Sequence, residues 1–176
     1  HLGAKTFLQN EFEHMLLWMQ GRSGSPDSRA LAHKVRYVCF MGDLVEGVGI
    51  YPGQEHDLTI LDVREQYRAF ATYVDRIPHD KAVIIIPGNH DVGRISEPQP
   101  PVDKEYAPDL WSLPHVRLLS NPSLFTIGAR PGFSGLDVLL YHGYSLIYYA
   151  NTIDSIRSKG GMTRVAVEDQ GPGIPP

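Results

Sequence analysis

With 176 residues, the chain is long enough to bury an ordinary hydrophobic core, as one domain or a large piece of one. Apolar residues at 42% and charged residues at 20% exclude a disordered chain, and a single cysteine excludes an intrachain disulfide and fits a reducing, cytoplasmic setting. No apolar run approaches the roughly 20 residues of a membrane span, and a net charge of −4 excludes a strongly basic surface, so nucleic acid binding would need positive potential from metal ions or a partner.

In chain order, Leu8, Phe12, Met15, Leu16 and Met19 recur at helical spacing, with Thr6 and Gln9 placed as a capping box. Residues 21–29 lose that period and are rich in turn formers, which predicts an exposed loop leading into a strand. Apolar runs at 35–41, 82–86 and 137–141 predict three strands, with Cys39 buried in the first. Between the first two, Ile60, Val63, Tyr67, Phe70, Val74 and Ile77 form one stripe of a long helix stopped by Pro78. Strand, helix and strand imply a right-handed crossover, and the near-continuous apolar strands imply a sheet covered on both faces. A proline-rich loop at 98–103 precedes two short strands, 116–119 and 124–127, around the turn Ser120-Asn121-Pro122. His14, His33, His56, His79 and His115 have no companion ligands and read as surface or capping residues.

Each of the three main strands ends at a polar cluster, and ligands of such sheets gather at the carboxyl ends of the strands. After the first comes Gly42-Asp43, where a carboxylate has two oxygens to share between two divalent cations, although Gly-Asp alone is more often a plain turn. After the second comes Gly88-Asn89-His90-Asp91, the most specific signal in the chain. An amide oxygen from Asn89 could ligate a metal without adding negative charge beside an anionic substrate. His90 could donate to a phosphate or leaving oxygen, with Asp91 holding its ring. After the third comes His142-Gly143, where a neutral imidazole could complete a second metal's shell. His1 is open on residue chemistry, either a ligand or an ordinary terminal histidine. Glu46 and Tyr51 lie in a glycine-rich loop that reads as substrate-facing, with a plain turn as the alternative.

Strand-Gly-Asp, strand-Gly-Asn-His-Asp and strand-His-Gly, in this order, resemble the calcineurin-like metallophosphoesterases. The resemblance implies an α/β fold, an αββα sandwich incomplete in this chain, with a two-metal site. It implies His1, Asp43, Asn89 and His142 as metal ligands, with Asp43 bridging, and His90 as the acid that meets the phosphate. The family's Asp two residues before His1 and its closing Gly-His-x-His are not in the sequence, so the ligand set is expected to be partial. The surroundings, His1-Leu-Gly-Ala-Lys-Thr-Phe7, Gly42 to Gln54, Ile86 to Asp91 with Glu97-Pro-Gln-Pro100, and Leu140-Tyr-His-Gly-Tyr144, are similar to the small subunits of archaeal D-family DNA polymerases. That likeness covers residues 1–164, expected as an exonuclease domain truncated at both ends, and leaves 165–176 as an atypical tail. It implies a 3′ to 5′ exonuclease using two divalent ions, Mn²⁺ by family habit with Fe or Zn²⁺ also suited to the donors. DNA 3′ ends, single-stranded or mismatched, and a polymerase large subunit are the implied partners. A repair nuclease or phosphatase of the same superfamily, or a non-catalytic polymerase scaffold, are the alternatives. The tail segment Glu168-Asp-Gln-Gly-Pro-Gly-Ile-Pro175 resembles an ATP-lid motif, but the rest of an ATP site is missing.

Overall fold

A computed structural model describes residues 1–152, and the tail at 165–176 lies outside the described residues. Residues 1–142 form one compact unit, and Gly143 onward belongs to a second, whose described part is the helix Tyr144–Thr152 (α5).

The first helix, Gln9–Met19 (α1), buries Leu16 and Met19 as the spacing predicts. Its cap differs from expectation: Leu8 occupies the N-cap with no side-chain hydrogen bond, so Thr6 and Gln9 do not form a capping box. The predicted loop at 21–29 is corrected more substantially, because a second helix, Pro26–Lys34 (α2), begins inside it. Ser25 accepts a hydrogen bond from the Ser28 N–H, and Pro26 sits at the first helical position, where its missing N–H costs nothing. At the far end of α2, the buried Lys81 ammonium donates to the carbonyls of Ala32 and Val35.

Strands Tyr37–Met41 (β1), Ala82–Ile86 (β2) and Val116–Leu118 (β3) form a parallel sheet in the order β1-β2-β3. The crossover between β1 and β2 carries the helix Val63–Asp75 (α3), capped by Asp62, whose carboxylate accepts from the N–H groups of Arg64 and Glu65. Ile60 and Ile77 extend the apolar stripe just beyond its two ends. A short helix not foreseen from periodicity, Pro108–Ser112 (α4), precedes β3; five residues are too few to show a period. Ser123–Ile127 (β4) and Leu136–Leu140 (β5) pair antiparallel in a second sheet.

The main core lies on one face of the parallel sheet, where Val83 and Ile85 meet Leu16, Tyr67, Phe70 and Val74. On the other face Ile84 and Ile86 pack against Leu140, with Phe125 and Val138 beside them. Thus β2 is covered on both sides, as its unbroken apolar run implies. The edge strand β1 is not: Val38 and Phe40 pack on the core while Tyr37, Cys39 and Met41 are exposed. The expectation of a buried Cys39 is therefore corrected, because a strand at a sheet edge alternates where a central one does not. His115 is corrected in the opposite sense, being buried and stacked on His79 at 4.1 Å between ring centroids. Among the described residues no helix is long and apolar enough to cross a membrane.

Candidate metal centre

Parallel pairing holds β1 and β2 in register, Met41 opposite Ile86, so both strands end level. The loops that follow, Gly42-Asp43 and Pro87 to Asp91, therefore lie side by side. Asp43 is in the left-handed region, with φ 53°, the only non-glycine residue described there. Such a backbone is uncommon outside Gly, Asn and Asp and is found where surrounding structure enforces it. Both neighbouring glycines are needed for the approach. A Cβ on Gly42 would stand 2.5 Å from Nδ1 of His142 and 2.7 Å from the Gly88 backbone, and one on Gly88 would collide with the Asp43 carboxylate.

His1 reaches the site by main-chain pairing. Leu2 bridges Val45 in parallel, its N–H donating to Leu44 and its carbonyl accepting from Glu46. This sets His1 Nε2 3.3 Å from Asp43 Oδ2. His142 arrives from the second sheet, two residues beyond the packed Leu140 that ends β5, and its N–H donates to the Asn121 side chain at 2.9 Å. Its Nε2 lies 3.4 Å from Asp43 Oδ1 and 3.0 Å from Asn89 Oδ1. The two oxygens of Asp43 thus face two different donor sets.

The tautomers sharpen this picture. The Met41 carbonyl, which can only accept, takes a hydrogen bond from His142 Nδ1 at 2.7 Å, and Glu46 Oε2 takes one from His1 Nδ1 at 2.8 Å. In the tautomer with its proton on Nδ1, each ring turns a lone pair at Nε2 toward oxygen atoms that also carry lone pairs. Acceptors gathered at 3.0 to 3.4 Å without a proton between them suit a shared cation. Ligand atoms of His1, Asp43 and His90 also fall within 4.8 Å of one another. One carboxylate, one amide and imidazoles suit borderline divalent ions such as Mn²⁺, Fe or Zn²⁺ without choosing among them.

His90 Nδ1 donates to the main-chain carbonyl of Glu46 at 3.0 Å, which leaves Nε2 as the nitrogen open to a ligand. Glu46 therefore touches His1 by its carboxylate and His90 by its carbonyl, which places it to orient both rings. Asp91 also departs from the sequence reading, since its carboxylate does not hold the His90 ring. It accepts from Gly88 N–H at 2.8 Å, Leu44 N–H at 3.2 Å and Tyr67 hydroxyl at 2.9 Å, tying the two loops together from beneath. Burial pushes the Asp91 carboxyl up to about 6, against the lowering effect of those three donors. Tyr51 stays outside the cluster, exposed, with its hydroxyl on Asp57.

Four further side chains contribute that the sequence did not single out. Gln66, fully buried on α3, accepts from Gly47 N–H and donates to the carbonyls of Gly47 and Ile60, fixing the glycine loop. Tyr67 was visible only as part of an apolar stripe. Gln99 and Asn121, both buried, link Gly88 to His142: the Gln99 amide donates to the Gly88 carbonyl and its oxygen accepts from Asn121. A polar residue inside an apolar helical stripe, as Gln66 is beside Tyr67, was the one available signal.

Residues 10–169 match the family described as Calcineurin-like phosphoesterase. The chain is also similar to proteins named DNA polymerase II small subunit. It is 42% identical to that of Methanothermobacter thermautotrophicus over 156 residues, 89% of this chain and 31% of the relative. For Methanocaldococcus jannaschii the identity is 41% over 145 residues, 82% of this chain and 23% of the relative. For Thermoplasma acidophilum it is 44% over 146 residues, 83% and 27% respectively. The chain spans less than a third of the length of these relatives.

Proposed function

The chain belongs to the calcineurin-like phosphoesterase family, and from that premise we propose that it is the 3′ to 5′ exonuclease domain of the small subunit of an archaeal D-family DNA polymerase. One observation carries the catalytic part: Asp43 divides its two carboxylate oxygens between His1 on one side and the His142–Asn89 pair on the other. In this reading His1, Asp43, Asn89 and His142 hold two divalent ions, Mn²⁺ by the family's habit. Such ions supply an activated water and charge neutralisation at the phosphodiester.

The chain's own residues do the rest. Asn89 contributes an uncharged ligand, which leaves the site able to admit an anion. Glu46 fixes the orientation of His1 and His90 together. His90, anchored through Nδ1, presents Nε2 to the leaving oxygen. In its doubly protonated form His90 keeps the Nδ1 bond to Glu46 and carries a second proton on Nε2; as the water oxygen joins phosphorus, the bond from phosphorus to the 3′ oxygen breaks and the Nε2 proton moves to that oxygen. Asp91 and Tyr67 keep the two ligand loops at a fixed separation. Tyr51 commits its hydroxyl to Asp57, so its ring is the part left for substrate at the rim. DNA 3′ ends are the substrate and a polymerase large subunit is the partner in this reading.

The test uses full-length protein with Mn²⁺ and 5′-labelled single-stranded DNA, read as progressive shortening from the 3′ end. Asp43→Ala and His90→Ala are each expected to lower the rate by about 10³-fold or more. Unchanged shortening in both variants would overturn the catalytic assignment. Hydrolysis of phosphoprotein but not of DNA would move the chain to the phosphatases.

A further inference from the structure

Beside His90 the surface opens into a groove of about 210 Å³, lined by Val48, Ile50, Val63, Val92 and Ile95 together with Asn89 and His90. Its walls come from the glycine loop after Asp43 and the loop after Asn89, so it is continuous with the metal centre. Val48, Ile50 and Ile95 are 47, 40 and 54% exposed, an unusual concentration of aliphatic surface at the edge of a site for a charged ester. Among the described residues no lysine or arginine lines the groove. The one carboxylate there, Asp91, is 5% exposed and already engaged by Gly88, Leu44 and Tyr67.

Chemistry assigns this space. A general acid must lie within hydrogen-bond reach of the oxygen it protonates, so whatever is bonded to the leaving oxygen occupies the volume adjoining His90. A run of phosphates would need basic side chains there. A phosphopeptide would bring main-chain N–H and C=O groups that aliphatic walls leave unpaired. The face of a nucleobase needs neither and gains from apolar contact. We propose that the groove holds the nucleoside that carries the departing 3′ oxygen, the new end of the shortened strand, by contact with its base. The proposal rests on the phosphodiesterase reading above. The polar side chains on its walls are taken, Asn89 and His90 by their places in the proposed site and Asp91 by Gly88, Leu44 and Tyr67, so none is left to read a base edge and the groove accepts all four bases alike.

The experiment compares wild type with Ile50→Ala/Ile95→Ala in the full-length, Mn²⁺-loaded protein, on two oligonucleotides. One is normal and the other lacks the base of the penultimate nucleotide. Removing the base is expected to lower kcat/KM of wild type by about tenfold, and the double variant to lose about the same on the normal strand. The two losses should not multiply, because each removes the same contact. Both residues are exposed, so a melting temperature equal to that of wild type shows that the loss is not one of folding. Multiplying losses, or no effect of base removal on wild type, would overturn the groove assignment alone. If wild type degrades neither strand, the nuclease reading falls, and the groove assignment with it.

Discussion

In the parallel sheet, Asp43, Asn89 and His90 stand on two loops that end level and are tied from beneath by side chains with almost no exposure: Gln66 on Gly47, and Asp91 with Tyr67 across Leu44 and Gly88. In the antiparallel sheet only His142 is delivered, held by the Asn121 side chain and the Met41 carbonyl. The outer face of that second sheet carries Leu124 opposite Leu139 at 72 and 64% exposure. The geometry of the cluster is thus set by buried polar side chains under the loops, while the apolar core brings the strands together. One side of the centre is braced at several points, and the other hangs from two hydrogen bonds.

The sharpest way to break this contrast is Asp91→Ala, which strands three donors in a dry place. Its cost is expected to be about 3 kcal/mol or more in urea unfolding; a loss below about 1 kcal/mol would show that the clamp is not what holds the loops. Next comes Asn121→Ala, which releases one hydrogen bond to His142 and one to Gln99. A cost of about 2 kcal/mol is expected, together with a higher divalent-ion concentration for half-saturation of the proposed site. Unaltered metal binding would mean that Met41 alone orients His142.

A smaller effect concerns acid. Burial first, and then the adjacent His79, hold the His115 imidazole below its usual range, so the unfolded chain takes up this proton more readily than the folded one. The stability from this group is whole above about pH 6.5 and is lost as pH falls through the interval below it. His115→Gln should flatten the acid side of a plot of Tm against pH, and an unchanged slope would exclude the group. Smallest of all, Leu124→Ser on the open face should move stability by no more than about 0.5 kcal/mol. A larger loss in the full-length protein would show that this face is covered there.

Strands and the long helix were legible because their periods are local, and the three clusters were legible because each follows directly on a strand. The helix α2 could have been read from Ser25-Pro26, but surrounding turn formers masked a sound N-terminal signal. What the sequence concealed was long-range pairing. Asp91 was assigned to its neighbour His90, whereas its partners include Leu44 and Tyr67, 47 and 24 residues away. For Glu46, nothing in its own loop reveals that His1, 45 residues earlier, meets its carboxylate. Cys39 was misjudged for a related reason: a strand's own residues do not say whether it lies at the edge of its sheet.

The left-handed backbone at Asp43 decides which replacements the chain can absorb. Asparagine is one of the few other residues at ease there, so Asp43→Asn keeps the loop, its shape and one amide oxygen while removing the shared negative charge. Such a variant should fold as wild type does and, if the site acts as proposed, still receive substrate yet turn it over poorly. The same torsion that makes the position demanding therefore offers a substrate trap, a form in which a bound phosphoester could be held long enough to be seen.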